Sequence, residues 1–416
     1  MTFKRLALGP RLSAVSWGFI ELFTLLAVLL LPFSKSAAEV GITVALVLWA
    51  LRKFPWNERF PDIAPCNLSY LIFLFFVVLS LYRIPEAHLW DGFRGFVKWL
   101  QYLALFFMSV ELFQSRARVN RCLAAFVVSM TALCLNGFYQ LWTGRDLVKG
   151  FVVDYPGRFT RMQSSLNSPN DLAAFLLFFL PIAFFLWIEK KKWSLQSALL
   201  CAAFVLSGLA WVLTLSRAAF VGLWLAVALY GLFTGNKAVL AGSTAGPALF
   251  LFSGALRYNF FESLNLRDIT VGERLRFWEI TWGLVRENPL FGSGVNTFYT
   301  RFSAAAPQGE AYRGYAHNCF LQMWSEVGLL GLLAFLAPLL FFLAGTAARA
   351  AKKKEAFGLS HALWIALTAF TVQSFFDTNF YALQTSVLFW IFWGMFIAAQ
   401  APSAPSAAPA RTSEGK

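Results

Sequence analysis

In GYAHNCFLQMWSEVGLLGLL, residues 314–333, the right half has the composition of a membrane helix, yet His317 stands at its mouth. Asn318, Gln322 and Glu326 follow at i, i+4 and i+8, so they share one helix face. Hydrocarbon cannot satisfy such a stripe, which must face a bundle interior or water. Glu326 lies deep enough to read as a structural hydrogen-bond anchor, with Gly328 and Gly331 allowing close helix contacts below it. His317 differs because it sits at the water boundary, next to an arginine-rich segment. Surrounding guanidinium groups favour the neutral imidazole, the form that can accept a proton. Of the other histidines, His361 is expected on the opposite side and His88 in a short loop.

The arginines supply the complementary chemistry. In VLTLSRAAFVGLWL, Arg217 falls where one apolar run ends and the next begins, so a very short turn holds it at the membrane margin. A charge there is costly, up to about 2.5–3.5 kcal/mol at mid-membrane, and calls for a partner. Thr214 and Ser216 are expected to add hydroxyl donors beside it. In VGERLRFWEITWGLVRENPLFGSG, Phe277, Ile280, Thr281 and Leu284 recur at helical spacing, and Asn288–Pro289 should end the helix. Arg274 lies one turn before Trp278, and Trp282 follows a turn later, as in an amphipathic helix resting on a membrane surface. Arginine's planar fork grips phosphate in bidentate fashion and stays charged when partly desolvated. A phosphorylated, membrane-bound ligand is the matching substrate; contact with lipid headgroups is the simpler alternative for any single arginine.

Positioning these groups falls to a chain of 416 residues, 58% hydrophobic and only 13% charged. Apolar runs of roughly 17–25 residues recur along it, each enough to cross a bilayer. The sequence predicts an all-α polytopic membrane protein with about twelve spans, near 14–33, 36–52, 68–82, 93–113, 119–142, 170–188, 195–215, 217–234, 237–256, 319–348, 359–378 and 381–399. Placing RKFPWNER, RARVNR, EKKK and RAAKKKE on the cytoplasmic side puts both termini inside. The opposite side then carries the long segments 143–169 and 257–318, and most of its basic residues are arginine. Residues 1–400 read as a single transmembrane domain, and 401–416, rich in Ala, Pro and Ser, as a disordered cytoplasmic tail. The five cysteines have neither metal-ligand spacing nor an even count, so no zinc site or disulfide framework is expected. GxxxxGK[ST], DxD, HExxH and GxSxG motifs are absent, which disfavours nucleotide- and metal-dependent chemistry. An outward-facing transferase without nucleotide needs a donor already activated, and a lipid diphosphate would serve.

LTLSRAAF, ERLRFW…NPLFGSGVNTF and AHNCFLQMWSEVGLLG resemble, in order and placement, motifs of the O-antigen ligase/polymerase family. RFTRMQSSLNSPNDLAAF and FFDTNFYALQTSVLFW extend the likeness, which covers roughly residues 150–395. The chain is most similar to the O-antigen ligases within that family. The resemblance implies a GT-C-like fold and metal-independent, inverting transfer of a glycan from undecaprenyl diphosphate to lipid A-core, on the periplasmic face of the bacterial inner membrane. It implies catalytic roles for His317, Arg217 and Arg274, with Arg276 as the alternative to Arg274. Arg158 and Arg161 join Arg276 as candidate diphosphate ligands. No cofactor and no nucleic acid is expected; the partners are the lipid-linked donor, the core-lipid acceptor and membrane lipids. A polymerase, a protein O-oligosaccharyltransferase and, from another class, a lipid or anion transporter remain the alternatives.

Overall fold

A computed structural model describes residues 10–53, 60–153, 160–252, 269–306, 315–353 and 356–400. Arg158 and the tail 401–416 lie outside the described residues. Each of the twelve apolar runs forms a helix: α1 Pro10–Leu30, α2 Lys35–Lys53, α3 Cys66–Leu81, α4 Leu89–Leu112, α5 Arg116–Thr143, α6 Pro169–Ile188, α7 Leu195–Leu213, α8 Arg217–Thr234, α9 Lys237–Phe252, α12 Cys319–Lys353, α13 Leu359–Gln373 and α14 Leu383–Ala398. Between α9 and α12 come α10 (Ile269–Glu287) and the short α11 (Phe298–Ala305). No strand occurs among the described residues; Arg145 and Val152 form an isolated bridge. Helices are the expected outcome, since a helix satisfies its own backbone groups where water is absent.

Among the described residues, five helices are long and apolar enough to cross a membrane: α5, α6, α7, α8 and α12. Burial sorts the bundle into layers. Residues Leu172–Phe179 of α6 and Leu388–Phe392 of α14 are almost wholly enclosed, whereas Phe19, Leu22 and Leu26 of α1 and Leu195, Leu199 and Leu209 of α7 are exposed. Large apolar side chains turned outward are what a lipid-facing surface requires. Close approach in the centre uses small residues: a methyl added at Gly222 of α8 would lie 2.5 Å from the Ala369 carbonyl of α13.

Side-chain and loop hydrogen bonds identify which helix ends share a face. The Gln384 amide donates to the Leu31 carbonyl, joining the start of α14 to the end of α1. Gln373 Nε2 donates to the Asn170 carbonyl at 3.2 Å, joining the end of α13 to the start of α6. Met162 N donates to Leu213 O at 2.9 Å, and Cys319 N to Ser374 O at 2.9 Å. The starts of α6, α8, α12 and α14 therefore gather at one end, together with the ends of α1, α7 and α13. Buried polar groups crowd there as well, among them Asn136, Gln140, Asp146, Thr214, Gln322 and Asp377.

The helix expected to run unbroken below His317 is interrupted. Gly328 takes φ 78°, ψ 172°, and α12 is helical only on either side of it. The segment NPLFGSG, 288–294, fills the gap. Ser293 N and Gly294 N donate to Ser325 O and Glu326 O at 2.9 and 3.0 Å, and Leu329 N donates to Pro289 O at 2.9 Å. Backbone groups freed by the break are thus satisfied by protein, the condition for tolerating irregular backbone at membrane depth. Gly328 does give close contact, but to this loop: a methyl there would sit 2.2 Å from Leu290 O. Gly331 faces α3: a methyl added there would lie 3.2 Å from the Phe76 Cβ.

Candidate active site

His317 precedes α12 at φ 48°, in the left-handed region that few non-glycine residues adopt. Asn318 explains why the chain can turn there. Its Oδ1 accepts from Phe320 N and Leu321 N at 3.1 and 3.0 Å, capping the helix and leaving the preceding residue outside it. Asn318 is therefore a structural cap within the His–Asn pair. Gln322 and Glu326 continue the buried stripe: Gln322 Nε2 and Tyr381 Oη each donate to the Glu326 carboxylate at 3.3 Å. That is the anchor role expected of Glu326.

The loop between α13 and α14 brings the partner for His317. Asp377 Oδ1 lies 3.6 Å from His317 Nδ1, close for opposite charges but beyond a hydrogen bond. Both His317 Nδ1 and Asp377 Oδ2 are buried without a hydrogen-bond partner among the described residues. Such orphans concentrate where chemistry needs them. The loop is held by Cys319, whose thiol donates to the Asp377 carbonyl at 3.1 Å, and by Asn379, which donates to Ser374 Oγ at 3.2 Å. Burial raises the Asp377 carboxyl pKa, but His317, the Thr378 amide and Arg274 together outweigh burial and hold it below the ordinary range. The carboxylate faces Nδ1, and Nε2 is the ring nitrogen turned away from it. The imidazole is 34% exposed and the carboxylate 10%, so the histidine stands nearer the surface than the aspartate.

Arg274 reaches the same pair from α10. Phe277, one turn on, stacks on His317 at 6.2 Å, and Trp278 packs against Phe376 at 6.3 Å. Phe277, Leu284, Phe298, Phe302 and Ala316 form a small second core. The apolar face of α10 is therefore spent on protein, whereas a helix resting on lipid was expected; Trp282 likewise meets Trp324. Arg274 lies half-buried on the inner side of α10, and Arg276 is exposed.

Arg217 opens α8 after the turn Thr214–Ser216, in which Leu215 has φ 50°. The turn belongs to the His317 end of the bundle through Arg161, whose Nε donates to Thr214 O at 3.0 Å and whose terminal nitrogen donates to Asn170 at 3.2 Å. Arg161 thus braces the turn that carries Arg217. The Thr214 hydroxyl does not serve as a donor to a ligand: it donates to Trp211 O at 2.7 Å and accepts from Ser216 N at 3.2 Å, closing the turn.

Sequence reasoning passed over Asp377 and Asp171, although both stand in segments it had marked, FFDTN and SPNDL. Asp171 lies within electrostatic reach of Asp377. Lys149 is another addition. Burial and Lys35 lower its pKa, while Asp146 and Asp171 oppose them, so two lysines border a site read as arginine territory. No group of histidine, cysteine and carboxylates among the described residues has the arrangement of a metal site.

Fold and site together give a helical protein with long apolar helices and, at one end of its bundle, a histidine, a carboxylate beside it and cationic side chains. Residues 202–336 match the profile of a family described as O-antigen ligase. Over that stretch, about a third of its length, the chain is similar to the O-antigen ligase family. The match spans Arg217, Arg274, Arg276 and His317; Arg161 and Asp377 fall outside it. No curated protein matches the chain.

Proposed function

We propose that this protein is an O-antigen ligase, transferring O-antigen glycan from undecaprenyl diphosphate to lipid A-core at the periplasmic face of the bacterial inner membrane. All twelve apolar helices cross, with both termini inside, in a GT-C-like arrangement. The observation that carries the reading is the approach of His317 to Asp377, with Arg274 bearing on the same carboxylate.

In the reaction, His317 Nε2 takes the proton of an acceptor hydroxyl as that oxygen attacks the anomeric carbon. The new carbon–oxygen bond forms on the face opposite the bond to the diphosphate, so configuration inverts and undecaprenyl diphosphate leaves. Arg217 and Arg274 hold the diphosphate and stabilise the charge that grows on it. Guanidinium groups supply the positive charge that a metal supplies elsewhere, which makes the transfer metal-independent. Arg161 acts by bracing Arg217, and Arg276, at the exposed side of α10, contributes less than Arg274.

The test is reconstitution of the purified protein with lipid-diphosphate-linked glycan and core lipid, in chelator and without nucleotide. A new glycolipid is expected. Elongation of one lipid-linked glycan by another, with core lipid untouched, would assign the protein as a polymerase instead.

A further inference from the structure

Between α2 and α4, on the flank of the His317 end, a polar network opens beside exposed apolar residues. Lys98 Nζ donates to Glu39 Oε1 at 2.6 Å and to Gln101 Oε1 at 3.2 Å, and Gln101 Nε2 donates to Thr43 Oγ1 at 3.4 Å. The Lys98 and Glu39 side chains are 31% and 45% exposed. Val40 and Val47 of α2 and Val97 and Leu100 of α4 are exposed beside them. Because α2 begins at Lys35, just after the catalytic end of α1, Glu39 lies about 6 Å and Thr43 about 12 Å along the helix from that end. Hydrocarbon cannot satisfy open polar groups at that depth, which mark a functional surface.

A wall of aromatic rings joins this network to His317. Tyr315, exposed and two residues before the histidine, meets Tyr381 at 6.2 Å between ring centroids. Tyr381 meets Trp99 at 6.2 Å, Trp99 meets Tyr102 at 5.9 Å, and the Lys98 ammonium lies 5.6 Å from the Tyr102 centroid. Lys98 and Glu39 balance each other's charge, so a bare phosphate gains little here. The network instead offers spaced donors and acceptors. Among the described residues, Glu39 Oε2 accepts no hydrogen bond and the Thr43 hydroxyl donates none. Sugar hydroxyls need that mixture, and a tyrosine ring can cover the apolar face of a sugar. A polyprenyl tail has no use for it.

We propose that the α2–α4 seam is the lateral docking site of the lipid acceptor, its saccharide headgroup lying along the Tyr315 wall and hydrogen-bonded to the network of Lys98, Glu39, Gln101 and Thr43. The acyl chains rest on the neighbouring valines and Leu100, and the reacting hydroxyl is carried past Tyr315 to His317. This site deepens the ligase reading and rests on it for the identity of the acceptor.

The experiment uses the purified full-length protein and two readouts: equilibrium binding of core lipid without donor, and steady-state transfer with donor and acceptor varied separately. The double variant Lys98→Met, Glu39→Leu replaces the ion pair by apolar groups, a change that helix packing tolerates. Core-lipid binding should weaken about tenfold and the acceptor KM rise by the same factor, as for the loss of one or two hydrogen bonds. The donor KM should stay at its wild-type value. Leu199→Ala, on the exposed side of α7, should match wild type in both readouts. Phosphatidylglycerol, which carries no saccharide, should bind the double variant and wild type equally. If the double variant does not fold, Thr43→Val replaces it, keeping the shape and losing the hydroxyl, with several-fold weaker binding expected. Four results each overturn the proposal: no binding of core lipid by wild type, wild-type binding and acceptor KM in a folded variant, a rise in donor KM alone, or an equal loss of phosphatidylglycerol binding. Failure of wild type to glycosylate core lipid, with seam-dependent binding intact, would instead retire the ligase reading and leave the seam as a glycolipid site.

Discussion

Asp377 Oδ1 stands 3.6 Å from His317 Nδ1 across a sequence separation that joins the entrance of one helix to the loop between two others. The carboxylate sits behind the imidazole, with Cys319 holding its loop and Arg274 bearing on it from α10. His317, on a left-handed backbone, thus has Nδ1 facing a carboxylate and Nε2 turned away from it.

His317→Ala should leave an inserted, folded protein and reduce glycan transfer by about 10²–10⁴-fold, the usual contribution of a positioned base. Transfer at the wild-type rate by the purified variant would remove His317 from the mechanism.

Asp377→Asn preserves size and removes the charge that fixes the imidazole proton. Transfer should fall while donor affinity, read as KM, changes little. The pH dependence follows from the depressed carboxyl. Its native pKa lies below the ordinary value of about 3.9, so its stabilising contribution is complete above that value and fades as pH falls through the native pKa. Thermal unfolding of wild type and Asp377→Asn should therefore differ by a constant amount from pH 5 to 8, and the gap should close only under stronger acid. A gap that widened on acidification would contradict the sign.

Arg217→Lys and Arg274→Lys should each lower kcat/KM, because an ammonium group cannot reproduce two-pronged contact with a diphosphate. Arg276→Lys should have a smaller effect, since that side chain is exposed on α10. Equal losses at 274 and 276 would show that the inner face of α10 is not what contacts the donor.

Gly292→Ala and Gly328→Ala test the loop seated in the broken helix. Both glycines have positive φ, and an added methyl would lie 2.3 Å from Glu326 O or 2.2 Å from Leu290 O. Each substitution should destabilise by at least about 1–3 kcal/mol, from backbone strain alone. Gly283→Ala, on the open side of α10, should instead stabilise by about 0.5–1 kcal/mol in the same unfolding measurement.

Helix placement was legible because it depends on local composition: a run long enough for the bilayer forms a helix wherever it occurs in the chain. The short turn before Arg217, the helical spacing from Phe277 to Leu284, its end at Glu287 and the polar stripe through Gln322 and Glu326 are local in the same sense. The exposed or inward side of Arg274 and Arg276 was not, because both sides of α10 carry aromatic or charged residues and only its packing on the His317 segment distinguishes them. Thr214 illustrates the same limit at one residue: its hydroxyl could serve a ligand or close its own turn, and backbone geometry decides for the turn.

By itself, the sequence determined a chain of apolar helices, a histidine at one helix mouth and an arginine-rich set of segments, since hydropathy, periodicity and residue chemistry act over a few turns. Tertiary structure alone decided that Asp377 stands behind His317, that Arg161 bonds to the turn before Arg217, and that α12 breaks at Gly328 to receive residues 288–294. Those outcomes rest on contacts between segments far apart in the chain, whose strength depends on angles and distances that no local pattern encodes.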